Sequence, residues 1–128
     1  MSKEEAILEV NAAFYQAFEK KDLVAMGQVW SQGIDSICVH PGRPALKGWQ
    51  AIHDSWEKIF RNTAYLEIDT KVITLNLSND LAYLVLTETI LQVAQRRKQK
   101  AESMATNVFE RMGQQWYLVN HHGSPMLN

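Results

Sequence analysis

The stretch ICVHPGRPALKGW, residues 37–49, runs a short apolar segment into His40, then through Pro41, Gly42 and Pro44 to Trp49. Two of the chain's three prolines lie here. Proline fixes φ and removes a backbone donor, so such a segment keeps its shape without pairing in a sheet. The pattern predicts a short strand through Ile37 and Val39, a rigid turn that holds His40 at an edge, and a helix starting near Trp49. Such a segment suits the rim of a pocket.

Upstream of this stretch the apolar spacing is helical. Ile7, Val10, Phe14, Ala17 and Phe18 recur every three or four residues and form one stripe. Asp22 is placed to cap a second, shorter helix that carries Leu23, Met26 and Trp30 on one side and ends at Gly33. A third stripe follows in Trp49, Ile52, His53, Trp56, Ile59 and Phe60.

From Tyr65 the pattern becomes extended, with segments near 65–77, 81–94, 101–112 and 115–122. Short separators imply an antiparallel meander, because a parallel crossover needs about a dozen residues. QRRKQK, residues 95–100, reads as a solvated loop, with a phosphate-binding patch as the sharper alternative. The apolar phase in 65–77 switches from Leu66 and Ile68 to Ile73, Leu75 and Leu77, as a bulge would cause. On 81–94, Tyr83, Val85, Leu91 and Val93 fall on one face and Ala82, Leu84, Leu86 and Ile90 on the other. Both faces are therefore apolar, and the one that the helices leave bare calls for a second copy of the chain.

The 128 residues, 46% hydrophobic and 21% charged, suit a single α+β domain spanning 1–128. A net charge of −1 gives no field for nucleic acid, and no run approaches a membrane span of about 18 residues. One cysteine, Cys38, forms no internal disulfide and reads as a buried small hydrophobe. A soluble, cytoplasmic protein is expected. No cofactor fingerprint is present, and the four histidines match no local metal spacing, so neither cofactor nor metal is expected.

Three segments resemble a known family: KKDLVAMGQVWS (20–31), VHPGRPALKGWQAI (39–52) and GQQWYLVNHHGS (113–124). They are similar to the SnoaL-like members of the nuclear-transport-factor-2-like superfamily. The resemblance implies a cystatin-like cone, in which a curved, mostly antiparallel sheet is wrapped by three N-terminal helices around a cavity. It also implies a small organic ligand, with acid/base isomerisation, cyclisation or dehydration as the chemistry if the domain is catalytic. The alternative implied is a non-catalytic oligomerisation module like the calmodulin-dependent-kinase association domain, a member of the same superfamily.

In the ketosteroid-isomerase branch the position before the proline carries the catalytic base. Here it is His40, which also moves protons near neutral pH. That branch's oxyanion-stabilising tyrosine aligns with Phe14, which leaves Tyr15 one position away, packed with its hydroxyl at an edge. Glu88 shares a strand face with Leu84, Leu86 and Ile90, where an unpaired carboxylate is costly. It is the candidate acid, with Asn107 as the expected donor to it. These two match positions where the kinase association domain carries cavity arginines. Trp30, Trp49, His53, Trp56 and His122 complete the expected ligand-lining set, and His40, His53 and Glu88 are expected to face a shared hollow.

Overall fold

A computed structural model of the chain describes residues 1–127. At its start, the Ser2 hydroxyl accepts from the Glu5 amide while the Glu5 carboxylate accepts from the Ser2 amide. This reciprocal cap satisfies donors that a helix start would otherwise leave unpaired, and it opens α1 (Lys3–Glu19). The stripe of α1 buries Ile7, Phe14, Ala17 and Phe18, together with Asn11 and Tyr15. Asp22 caps α2 (Leu23–Val29), its carboxylate accepting from the Ala25 amide. The expected end at Gly33 is not reached. Trp30 turns out of the helix to bridge Leu118, and the Ser31 amide donates to the Leu118 carbonyl.

The proline segment forms β1 (Ile37–Val39), a turn, β2 (Leu46–Lys47) and then α3 (Trp49–Asn62). The Arg43 amide donates to the His40 carbonyl at 2.9 Å, which closes a four-residue turn over Pro41 and Gly42. Gly42 has φ +76°. Proline at the second position and a positive-φ glycine at the third are what a type II turn requires. Pro41 has a further partner: a Cβ built on Gly123 would lie 2.8 Å from Pro41 Cγ. The absent side chain at Gly123 lets the pyrrolidine ring seat on the last strand, and this contact pins the turn.

The meander comprises β3 (Tyr65–Ser78), β4 (Leu81–Ala94), β5 (Arg97–Met112) and β6 (Gln115–Pro125). The sheet order is β2-β1-β6-β5-β4-β3. Only β1 runs parallel to its neighbour β6; the other pairs are antiparallel. The three helices pack on one face of this curved, unclosed sheet, the α+β architecture expected of a nuclear-transport-factor-2-like fold. Among the described residues no helix is long and apolar enough to cross a membrane.

Two departures from the sequence pattern stand out. Residues 95–100 are not a loop, because Ala94 pairs with Arg97 and only Gln95 and Arg96 turn the chain, at φ +52° and +64°. The left-handed pair matches the strand twist, so pairing persists almost to the tip, and Arg97, Lys98 and Lys100 stand on β5. The bulge in β3 falls at Ile73, between the Val72–Leu86 and Thr74–Val85 pairs. Leu75 and Leu77 turn inward as expected, whereas the bulged Ile73 itself stays 57% exposed. The faces of β4 divide as the alternation predicts: Ala82, Leu84 and Leu86 are buried under the helices, and Tyr83 is exposed on the outer side.

The seating of Pro41 on Gly123 sets the first expected outcome. Gly123→Ala forces a methyl into the proline ring, where neither partner is flexible, and is expected to cost about 1–3 kcal/mol. Thermal denaturation monitored by circular dichroism measures it; a melting temperature equal to that of the parent chain would show that the turn is not pinned there.

Candidate functional site

Tyr15 projects from α1 onto the inner face of the sheet, and its hydroxyl donates to Glu88 Oε2 at 2.6 Å. Asn107, on the neighbouring strand β5, donates its amide to Asn11 Oδ1 at 2.9 Å and to the Tyr15 hydroxyl at 3.2 Å. Its carbonyl oxygen contacts His121 Nδ1 at 2.5 Å. Asn107 thus contributes two donors and one acceptor, which orients its amide and places the His121 proton on Nδ1. His121 Nε2 then carries a lone pair, 4.0 Å from Glu88 Oε2. Glu88, Asn107 and His121 are each at most 1% exposed. Five polar side chains from α1, β4, β5 and β6 therefore meet in the core.

The electrostatics follow from this burial. Desolvation drives the Glu88 carboxyl above its ordinary range, and the Tyr15 hydrogen bond only partly opposes it. Burial, reinforced by the Glu88 charge, drives the Tyr15 hydroxyl up. His121 is pushed down to about 3, chiefly by burial, with His40 and His122 adding to the effect. Among the described residues no Lys or Arg pairs with Glu88, so nothing but the Tyr15 hydroxyl offsets its desolvation.

His40 stands at the rim. Its Nε2 lies 2.7 Å from Ser55 Oγ of α3 and 3.8 Å from Cys38 Sγ. Burial and the Arg43 charge lower it to about 4, so the ring is neutral. Cys38 is paired in register with His121, and its thiol is raised to about 12 by burial and by Glu88. A line of polar groups therefore runs from the rim into the core: His40, Cys38, His121, Glu88, Tyr15. His40 also walls a rim cleft of about 440 Å³ with Arg43, Ser55 and Lys58.

The expected shared hollow is not open. Phe14 and Trp56 are fully buried, and their rings meet edge to face at 5.7 Å. Trp56 also stands edge-on to His40 at 4.9 Å. Among the described residues, none of the four best-formed surface clefts has Glu88, Tyr15, Asn107 or His121 in its wall. His53 does not face Glu88: its Nδ1 is taken by Asp54 at 3.1 Å, and with Trp49 and Trp30 it borders a separate cleft beside α2.

Three more readings are corrected. Tyr15 is not an edge hydroxyl; it is the donor that Asn107 was expected to be. His122 lies exposed on the outer face and cannot line the interior, while His121, absent from the expected set, is the buried one. The cause is a bulge at Val119, between the Val108–Asn120 and Phe109–Leu118 pairs, which reverses the alternation set by Trp116 and Leu118. Asn11 and Ser55 were also missed. Asn11 lies one helical turn before Tyr15, a spacing that places both on one face of α1. Among the described residues no three His, Cys, Asp or Glu side chains converge as a metal site.

A pH dependence follows. Groups whose folded pKa lies below the unfolded value of 6.5 lose native stability as protons bind, so His121 and His40 destabilise the fold as pH falls from 6.5 toward about 3 and about 4. For His121 the loss is on the order of several kcal/mol. Glu88 acts oppositely, its contribution fading as pH rises above 4.5. His121→Asn keeps a donor for Asn107 and removes one titration, so its stability between pH 6.5 and 3.5 is expected to fall less steeply than that of the parent. Urea denaturation across pH measures the two slopes, and identical slopes would exclude the buried neutral imidazole.

The chain has clear relatives. Residues 7–128 match the family model of the SnoaL-like domain. F-box protein SKIP8 of Arabidopsis thaliana is 25% identical over 122 residues, covering 95% of this chain and 50% of that protein, so the chain spans about half that curated relative's length. A Streptomyces avermitilis protein named as a candidate dehydratase of the nuclear-transport-factor-2-like family superimposes with a TM-score of 0.90 at 29% identity, over 97% of both chains. A candidate calcium/calmodulin-dependent protein kinase type II association domain from Thiobacillus denitrificans gives a TM-score of 0.83 at 27% identity, over 92% of this chain and 93% of that one. With the sheet, the three helices and the family match in agreement, the chain belongs to the SnoaL-like domain family of the nuclear-transport-factor-2-like superfamily.

Proposed function

We propose that this domain binds a small organic molecule between α1, α3 and the inner sheet face, and that the Glu88–Tyr15 pair meets an oxygen of that ligand. The observation that carries this reading is Glu88 at 1% exposure, with a tyrosine hydroxyl at 2.6 Å and no cation. A core built only for stability gains little from such a group, since a buried carboxyl costs free energy that an apolar residue would not. Perturbed acids inside a fold cluster at functional sites. The route in passes His40 and Trp56. The indole N–H of Trp56 is buried without an acceptor, and a ligand oxygen would supply one.

The same geometry suits acid/base chemistry on that ligand. A neutral carboxylic acid beside a tyrosine hydroxyl is a donor pair for a developing oxyanion. Neutral His40 at the rim would take the proton. Isomerisation, cyclisation and dehydration all fit, and the Streptomyces relative named as a candidate dehydratase favours the last. A cytoplasmic setting accords with Cys38 as a free buried thiol.

Thermal shift across small ketones, enones and phenols tests the binding. A ligand present at a hundred times its Kd stabilises by about 2.7 kcal/mol. Glu88→Gln is expected to lose most of that gain while folding normally, and His40→Ala is expected to lower any turnover about a hundredfold. A full shift in Glu88→Gln would remove Glu88 from the site.

A second reading concerns the outer sheet face. Tyr83 is exposed there, Val85 and Val108 are only half-buried, and the kinase-association-domain relative shares this fold. We infer that two copies pair through this face. Val85→Glu combined with Val108→Glu is expected to convert a dimer to a monomer in sedimentation equilibrium, whereas a parent chain that is already monomeric would sink the idea.

A further inference from the structure

Three of the aromatic residues expected inside the cone gather elsewhere. Trp30, Trp49 and His53 border an open cleft of about 1090 Å³, between α2, the start of α3 and the β5–β6 turn. The Trp49 and His53 rings meet edge to face, 5.6 Å apart at 70°. A Cβ on Gly27 would approach the Trp49 ring at 3.3 Å, so the bare glycine lets that indole come close to α2.

Two properties narrow what this cleft accepts. The first is charge. No Lys, Arg, Asp or Glu lines it, in a chain where 21% of residues are charged. The rim cleft, by contrast, includes Arg43, Asp54 and Lys58, and the cleft between α1 and α2 includes Glu9, Lys20 and Asp22. A phosphate or carboxylate ligand would find no counter-charge, so the occupant is neutral. The second property is unmet hydrogen bonding. His53 Nδ1 is taken by Asp54, which leaves Nε2 as its free ring nitrogen. The Gln115 carbonyl accepts from the Tyr117 hydroxyl at 2.6 Å, so its amide hydrogens are free to donate.

We propose that this cleft is a second binding site, separate from the cone, for a neutral planar heteroaromatic molecule that carries a ring carbonyl next to a ring N–H. The carbonyl takes the Gln115 amide, the ring N–H goes to His53 Nε2, and the ring plane packs against Trp49. Aromatic walls with a few fixed polar groups are the usual make-up of such sites.

The test uses 2-quinolinone, which has this lactam edge and no charge, titrated into the full chain while the tryptophan indole N–H resonances are followed by ¹H–¹⁵N NMR. The Trp30 and Trp49 signals are expected to move with saturation, and the Trp56 signal to stay. Gln115→Ala, at an exposed position, removes the amide donor and is expected to weaken binding by roughly threefold to tenfold, the worth of one hydrogen bond. His53→Ala, half-exposed and safe for folding, is expected to weaken it similarly. No movement at millimolar probe, or full affinity in both variants, would overturn the proposal. Movement of Trp56 alone would also overturn it, by placing the probe in the cone. Glu88→Gln is expected to leave this titration unchanged, so failure here and failure of the cone reading are separable.

Discussion

The hydrogen bond from Tyr15 to Glu88 is the constraint around which the interior is arranged. It joins the C-terminal half of α1 to the middle of β4 across the core, and the neighbouring polar groups arrange themselves around it. A buried carboxyl needs a donor, and the hydroxyl that supplies one needs its own oxygen satisfied. Asn107 does this, and in doing so fixes its amide toward Asn11 and its carbonyl toward His121. The consequence reaches His121, whose proton is drawn to Nδ1, leaving Nε2 bare opposite Glu88. Two acceptors facing each other at 4.0 Å repel unless a proton or a donor lies between them. The network is therefore complete on the helix side and open on the side toward β1.

That open side is where the rest of the molecule converges. Cys38 sits against His121 in register, His40 lies two residues further along the same strand edge, and Trp56 covers the gap. The indole is packed edge-on by Phe14, Phe18 and His40, yet its own N–H has no acceptor. Beside Phe14, the Trp56 indole fills this space with dispersion contacts but forgoes a hydrogen bond.

How much of this the sequence discloses depends on whether a feature is set by local chemistry or by strand phase. The capped helices, the proline turn and the meander are local, and residues 3–20, 37–49 and 65–122 announce them. Glu88 is legible for the same reason, since it interrupts an apolar face of β4 that contains no bulge. His121 is not. The alternation from Trp116 and Leu118 points His122 inward, and only the extra residue at Val119 reverses it. Tyr15 was obscured differently. One position on a helix is about 100°, and the family alignment put Phe14 in the functional place. In the structure both side chains are buried, the phenylalanine against the aromatic cluster and the tyrosine against Glu88. Trp49, His53 and Trp56 were assigned to one hollow because they share a stripe of α3, but the stripe spans more than one neighbour. Trp56 meets α1 while Trp49 meets α2 at Gly27.

The two bulges then explain why the site lies where it does. A bulge bends its strand and raises the local twist, and here one falls in the edge strand β3 and the other in β6, three strands away. Between them lie β4 and β5, whose inner faces pair without interruption and carry Glu88, Ser103 and Asn107. The sheet is curved from both sides around this uninterrupted centre, so the polar residues of the two middle strands come to lie at the bottom of the concavity, under α1. On the β6 side, the same irregularity that curves the sheet also swings His121 into that bottom and brings Gly123 under Pro41. Curvature, histidine placement and the pinned rim are in this sense one event in the backbone. A strand without the extra residue at Val119 would direct His121 to solvent, leave the Asn107 carbonyl without its partner, and set a different residue beneath the proline turn.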